Sequence, residues 1–291
     1  MKQRYIYLCL LPSFAFVALF LVYPAFEAFR ISLYDWTMRN YYNPSFNGFG
    51  NYADALRDPV FLDSFWILAI FLAWMIVVIQ AFAVFGAYWV YLLGDTKAGN
   101  FFKTGFVVPM VVPGMVLTLF WLFFYEPNFG MLNTLLTMLG LESLTKVWLG
   151  ESQATALGAL LFKGFPWVGG MGFLIYLAGF QSIDGSLYEA ARMDGAKGWQ
   201  LFKHISFPLI VPQLKLTTLL TLIGGIQQFS DQYILTKGGP GFDTTVPGLY
   251  MFNQAFMYGK LGVGSAVGVI LFFIIIAFSM ANQYLIKPKH R

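Results

Sequence analysis

Four stretches of the chain carry no charged residue: 5–26, 64–94, 104–125 and 261–286. Each reaches the roughly 20 apolar residues that a bilayer-spanning helix needs. Two further stretches carry a charge but are otherwise apolar: 154–181 with Lys163, and 213–236 with Lys215 near its start and Asp231 near its end. Backbone polar groups in lipid must be paired within their own segment, so these runs predict helices. They lack the alternation of outer-membrane strands. The pattern predicts an all-α integral membrane protein with six transmembrane helices, treated as a single transmembrane domain over 1–291 because no repeat or low-complexity linker divides it.

Composition supports lipid as the main solvent. Hydrophobic residues make up 58% of the 291-residue chain and charged residues 11%, against about 25% charged in a typical soluble domain. The net charge of +4 comes from scattered residues near span ends, which is no footprint for nucleic acid. An even number of spans puts both termini on one side. If the termini and the loops at 94–104 and 182–215 are inside, that side holds eleven Lys and Arg against six outside. This bias marks it as cytoplasmic. Lys2 and Arg4 precede the first apolar run, but that run is longer than a signal-peptide core and has no clear cleavage site, so it reads as an ordinary first span.

Catalytic patterns are absent from the sequence. Cys9 is the single cysteine, His204 and His290 have no partner pattern, and LTKGGPG at 235–241 lacks the context of a phosphate-binding loop. Uphill transport by this chain would draw its energy from another subunit or from an ion gradient.

The polar interruption at 182–212 contains EAARMDGAKGWQLFKHISFPLIVP. Ser186 followed by Glu189 fits a capping box, which is one reading of Glu189. Ala190 and Ala191 give a small-residue face for close approach by another surface. Gly195 suits a left-handed helix stop. A second short helix is expected with Trp199, Phe202 and Ile205 at spacings of three, ended by Pro208 and Pro212.

This stretch resembles the EAA loop of ABC importer permeases: Glu189-Ala190-Ala191, Gly195 six residues after the Glu, Ile205 ten further on, and Pro208 three beyond. Phe207 stands where leucine is common. FGNYADALRDPVF at 49–61, VVPMVVPGMVLTLFW at 107–121, NFGMLN at 128–133 and LTKGGPG followed by Thr244 and Thr245 are similar to segments of the maltose-type sugar permeases. The resemblance covers roughly residues 5–286. It implies the type I importer permease fold in a bacterial or archaeal cytoplasmic membrane, with both termini cytoplasmic. It also implies a homologous second permease, with a heterodimer favoured, and two cytoplasmic ATPases that bind ATP and Mg. An extracytoplasmic solute-binding protein would deliver sugar. This chain would be a non-catalytic subunit with no cofactor of its own. Glu189, Ala190, Ala191 and Gly195 would form the coupling helix, with Arg192 and Asp194 as rim contacts. Docked loops would move with the closing ATPases and drive alternating access.

Sugars bind to aromatic faces and to hydroxyl-seeking polar groups. Lys163 and Asp231 stand out because intramembrane charge usually faces a cavity or a partner. They could contact substrate, pair with each other, or sit among headgroups. Trp121, Trp167 and Tyr176 are candidate stacking residues, and the amides of Gln227 and Gln228 need partners. Permeases of this group often have Phe-Asp where this chain reads Phe229-Ser230, with Asp231 one position later. Pro166, Gly169 and Gly170 predict a loosened span four. The alternatives are an importer of the same architecture for another polar solute, such as glycerol phosphate, or a stand-alone secondary transporter.

Overall fold

The computed structural model describes residues 2–285, with side chains over 7–284. Lys287, Lys289 and Arg291, which entered the charge count above, and His290 lie outside them. The structure is almost entirely helical and divides into two compact units: Met1–Phe65 with Val246–Ile274, and Trp66–Thr245 with Ile275–Arg291.

Three helices are long and apolar enough to cross a membrane: Tyr7–Ser32, Pro59–Leu93 and Leu261–Tyr284. They coincide with three of the four charge-free runs. The fourth, 104–125, is not one straight helix. It divides into Lys97–Val111 and Gly114–Phe124, bent by 96°. Pro113 explains the break, because proline has no N–H to donate and disfavours helical geometry in the residue before it; Val112 is extended, at ψ 126°. A second bent pair, Trp199–Leu209 and Val211–Gln227, turns by 63° beside Pro208 and Pro212. The stretch expected as span four forms two shorter apolar helices, Gln153–Phe162 and Met171–Gln181. The region predicted to loosen, around Pro166, is non-helical from Lys163 to Gly170. The expected helix over 213–236 also breaks, ending at Gln227 and restarting as Ser230–Leu235.

In the first unit the helix ending at Ser32 leads into the one pair of strands among the described residues. Tyr34–Asp35 pairs antiparallel with Ser45–Phe46, Tyr34 opposite Phe46. Asn40 closes the intervening loop: its Oδ1 accepts from the Thr37 N–H at 2.7 Å and its Nδ2 donates to the Asp35 carbonyl at 2.7 Å. Helix Gly50–Arg57 follows. Asn51, inside the 49–61 motif, donates from Nδ2 to the carbonyls of Ser32 and Tyr34, both at 2.8 Å. Asp58 caps the next helix by accepting from Val60 N–H at 2.9 Å and accepts the Tyr250 hydroxyl at 2.7 Å. Buried Phe61 and Tyr250 stack at 5.2 Å between centroids.

In the second unit the core forms where helix Gln80–Leu93 meets Met171–Gln181. Ala83, Val84, Ala87 and Val90 pack with Phe173, Tyr176, Leu177 and Phe180. Each set repeats at three to four residues, so each lies on one face. The small residues of the first set allow close approach, as at helix interfaces in lipid. Two other motif segments have evident structural work. Asn133 donates to the carbonyls of Pro127 and Lys146, both at 3.0 Å, and accepts from Trp148 Nε1 at 2.7 Å. Thr244 Oγ1 donates to the Gly239 carbonyl at 2.9 Å and meets Thr236 Oγ1 at 2.7 Å, closing the LTKGGPG segment as a turn.

Candidate functional site

Two sites emerge, both within the second unit. The first is the hairpin. Helix Gly185–Met193 is capped by Asp184, whose Oδ1 accepts the Ser186 N–H at 2.9 Å. This corrects the expected capping box: Ser186 stands second in the helix, and Glu189 is too far along to fold back on the cap. The Ser186 N–H holds the Asp184 carboxyl below its usual range. The helix stops as a Schellman motif. Ala196 N–H reaches the Ala191 carbonyl at 2.9 Å and Gly195 N–H reaches that of Arg192 at 3.0 Å. Gly195 has φ +84°, a conformation that favours glycine.

Tyr188 anchors this helix. It is buried, and its hydroxyl meets Ser206 Oγ at 2.9 Å. Burial pushes the Tyr188 phenol up, so it stays a neutral hydrogen-bonding group. Glu189, Ala190, Arg192 and Met193 lie on the exposed side, with Met193 88% exposed. Glu189 has no hydrogen bond or ion pair to a described side chain, so the capping reading no longer accounts for it. Ala191, Asp194 and Gly195 line a hollow of about 370 Å³ with Gln200 and His204. Arg192 lines another of about 550 Å³ with Tyr88, Leu92 and Trp199. The second short helix, Trp199–Leu201, passes through a π-helical turn, Phe202–Ser206.

The second site assembles at the helix breaks. Lys163 and Asp231 form an ion pair at 2.6 Å, with 18% and 22% of their side chains exposed. Asp231 also accepts from Thr118 Oγ1 at 2.7 Å and from Gln228 Nε2 at 3.0 Å. Trp167 is tied to this cluster by its Nε1, which donates to the Lys163 carbonyl at 2.9 Å. Its ring sits edge-on to Trp74 at 5.3 Å, Phe82 at 5.2 Å and Phe162 at 5.8 Å. Trp121 joins through Phe162 at 6.1 Å. The result is a charge-compensated polar centre beside aromatic rings.

Of the predicted residues, Lys163, Asp231, Gln228, Trp167 and Trp121 come together. Tyr176 does not join them. It is fully buried, and its hydroxyl bonds Gln80 Oε1 at 2.9 Å and Thr217 Oγ1. Those bonds, with the core packing around it, replace the sugar-stacking role expected for it. Gln227 folds its amide onto the Ile223 carbonyl of its own helix at 3.0 Å. Sequence reasoning missed Thr118, the one hydroxyl in Gly114–Phe124, although a lone hydroxyl in an apolar run was a usable signal. It also missed Trp74 and Phe162, which nothing local distinguishes from other span aromatics.

Residues 83–291 match the family described as binding-protein-dependent transport system inner membrane component. The chain is 34% identical to the probable ABC transporter permease protein YurN of Bacillus subtilis, covering 97% of this chain and 95% of that one. It is 30% identical to the trehalose/maltose transport system permease protein MalF of Thermococcus litoralis, over 94% and 90%. A chain from the crystal structure of a bacterial ABC transporter that imports the acidic polysaccharide alginate has the same fold. It superposes with a TM-score of 0.81 at 18% identity, covering 98% of this chain and 95% of the other.

Proposed function

Because the chain belongs to the family of binding-protein-dependent transport system inner membrane components, a non-catalytic permease subunit of ABC transporters, we propose that it imports a sugar or oligosaccharide and is driven through its exposed hairpin by a cytoplasmic ATPase. One observation carries this reading. Helix Gly185–Met193 presents Glu189, Ala190 and Arg192 outward while Tyr188 and Ser206 bind it to the chain that enters helix Val211–Gln227. A lever needs both a free face and a rigid attachment.

In this reading the two bent helix pairs and the pair Gln153–Phe162 with Met171–Gln181 supply three spans beside the three long helices, giving six with both termini cytoplasmic. Glu189 meets a cation on the ATPase, with Arg192 and Asp194 at the rim. ATP and Mg stay on two ATPase subunits. A homologous second permease completes the pathway, and an extracytoplasmic binding protein delivers the solute. Relatives whose names specify trehalose/maltose and starch degradation products favour a saccharide. A solved transporter of this fold carries an alginate pentasaccharide-bound periplasmic protein. The Asp231 cluster supports the same substrate class: its polar groups suit hydroxyls and its rings suit sugar faces.

ATP hydrolysis by the assembled transporter in lipid tests the reading. A saccharide-loaded binding protein should stimulate it. Glu189→Lys should abolish retention of the ATPase while the chain still inserts and folds. Normal assembly and transport in Glu189→Lys would remove the docking role, and stimulation only by a non-sugar solute would redirect the substrate.

A further inference from the structure

The first unit contains a polar cavity of about 410 Å³ that the importer reading leaves unused. Asp35, Asp54, Asp58, Tyr250, Gln254 and Lys260 are among its lining residues, with Trp36 and Phe46 on its wall. Its frame is tightly built. The Met38 N–H donates to the Gly259 carbonyl at 2.8 Å, Gly262 N–H to that of Trp36 at 2.9 Å, and Lys260 N–H to that of Gln254 at 2.8 Å. A side chain at Gly262 would meet the Tyr34 carbonyl at 2.3 Å and the Asn51 amide at 2.8 Å, so the frame requires the bare backbone there.

Asp58 is already committed to the Val60 N–H and the Tyr250 hydroxyl. Burial, then the Asp58 carboxylate, raise the Tyr250 phenol and keep it a donor. Asp35 and Asp54 are different. Both are exposed, and neither carboxylate has a hydrogen bond or ion pair among the described residues. Gln254 is 7% exposed and its Oε1 has no partner, an uncommon state for a buried amide. Trp36 Nε1 on the same wall is a buried donor without a partner, but the two free carboxylates and the Gln254 oxygen outnumber it and Lys260, so the cavity has an excess of acceptors. Three aspartates against Lys260 also leave it formally negative. Among the described residues no group of three or more His, Cys, Asp or Glu is placed to hold a metal ion. What the cavity lacks is a cation that spreads several donors over a distance.

We propose that this cavity binds a guanidinium group. A guanidinium has five N–H donors, no acceptor and a permanent charge, and its flat faces lie well against aromatic walls. Arg30 is not among the lining residues: Glu27 holds its guanidinium at 2.8 Å, over the Trp36 ring at 5.3 Å from the centroid. The group arrives either on an arginine side chain of an extracytoplasmic protein or on a free solute; only the first source rests on the importer reading.

The test is calorimetric titration of the full chain in nanodiscs of zwitterionic lipid with acetyl-arginine-amide, and with acetyl-citrulline-amide as its neutral isostere. Saturable binding of the arginine probe alone is expected. It should weaken about tenfold in Asp54→Asn and in Asp35→Asn, the scale of one charge-assisted hydrogen bond. Thermal unfolding of both variants should match the wild type, since neither carboxylate holds the fold together. Equal binding of the citrulline probe, no saturable binding, or unchanged affinity in both variants would overturn the proposal. Competition by the arginine probe against a retained binding protein assigns the group to that protein, and saturable binding without competition assigns it to a free solute. Sugar-stimulated ATP hydrolysis is read separately, so either idea can fail without the other.

Discussion

The second unit has two polar clusters among apolar helices, and they are built in opposite ways. Gln80, Tyr176, Thr217 and Thr218 come from within helical segments and are buried. Their oxygens meet one another, with Gln80 Oε1 accepting from Tyr176, Thr217 and Thr218, while Gln80 Nε2 has no partner. Lys163, Gln228 and Asp231 sit where helices end or begin, and Lys163 and Asp231 stay partly accessible. Irregular backbone at membrane depth is tolerated where it is buried in protein or lines a cavity. The contrast separates a polar lock that holds helices together from a partly accessible polar centre, the one we propose for the solute. Residue type alone does not make that distinction; position relative to a helix break does.

Four single substitutions and one double variant would sharpen or break it. The largest effect is expected from Asp231→Ala, which leaves Lys163 without its counter-charge. Transport should be lost and the protein destabilised by roughly 3 kcal/mol, the low end for a broken buried pair because this one is partly exposed. Combining Asp231→Leu with Lys163→Met should restore thermal stability but not uptake. Full uptake by that double variant would make the pair a second lock and erase the contrast.

Tyr176→Phe should cost about 1–3 kcal/mol, because Gln80 and Thr217 lose a buried partner. Uptake per folded molecule should be unchanged, and a shift in substrate preference would place Tyr176 on the pathway after all. Trp167→Ala should raise the solute concentration for half-maximal uptake several-fold, about 1 kcal/mol of ring contact. A change confined to maximal rate would argue against a binding role. The smallest effect is expected from Thr118→Val, which removes one of three groups on Asp231 for about 1 kcal/mol. Wild-type uptake kinetics with reduced stability would assign Thr118 to the lock class.

The hairpin was more legible than the proposed substrate site. Its proposed coupling residues lie within seven consecutive positions, Glu189 to Gly195, so helix and stop follow from local chemistry. The left-handed glycine appears where expected. The cap was misplaced because Ser186 and Asp184 are both good caps two residues apart, and the structure uses Asp184. Thr118 and Asp231 are 113 positions apart, and no local pattern pairs them.

By itself the sequence determined the solvent, the helical class, the three long spans, the proline positions that break other helices, and the exposed hairpin. These follow from hydropathy, backbone hydrogen bonding and residue geometry over a few turns. Only the tertiary structure decided that Asp231 takes Lys163, Thr118 and Gln228 together, that Tyr176 belongs to the core, and that loops of the first unit enclose an acceptor-rich cavity. Such pairings depend on where distant helices end and how they are angled, and those angles are set by packing over the whole unit.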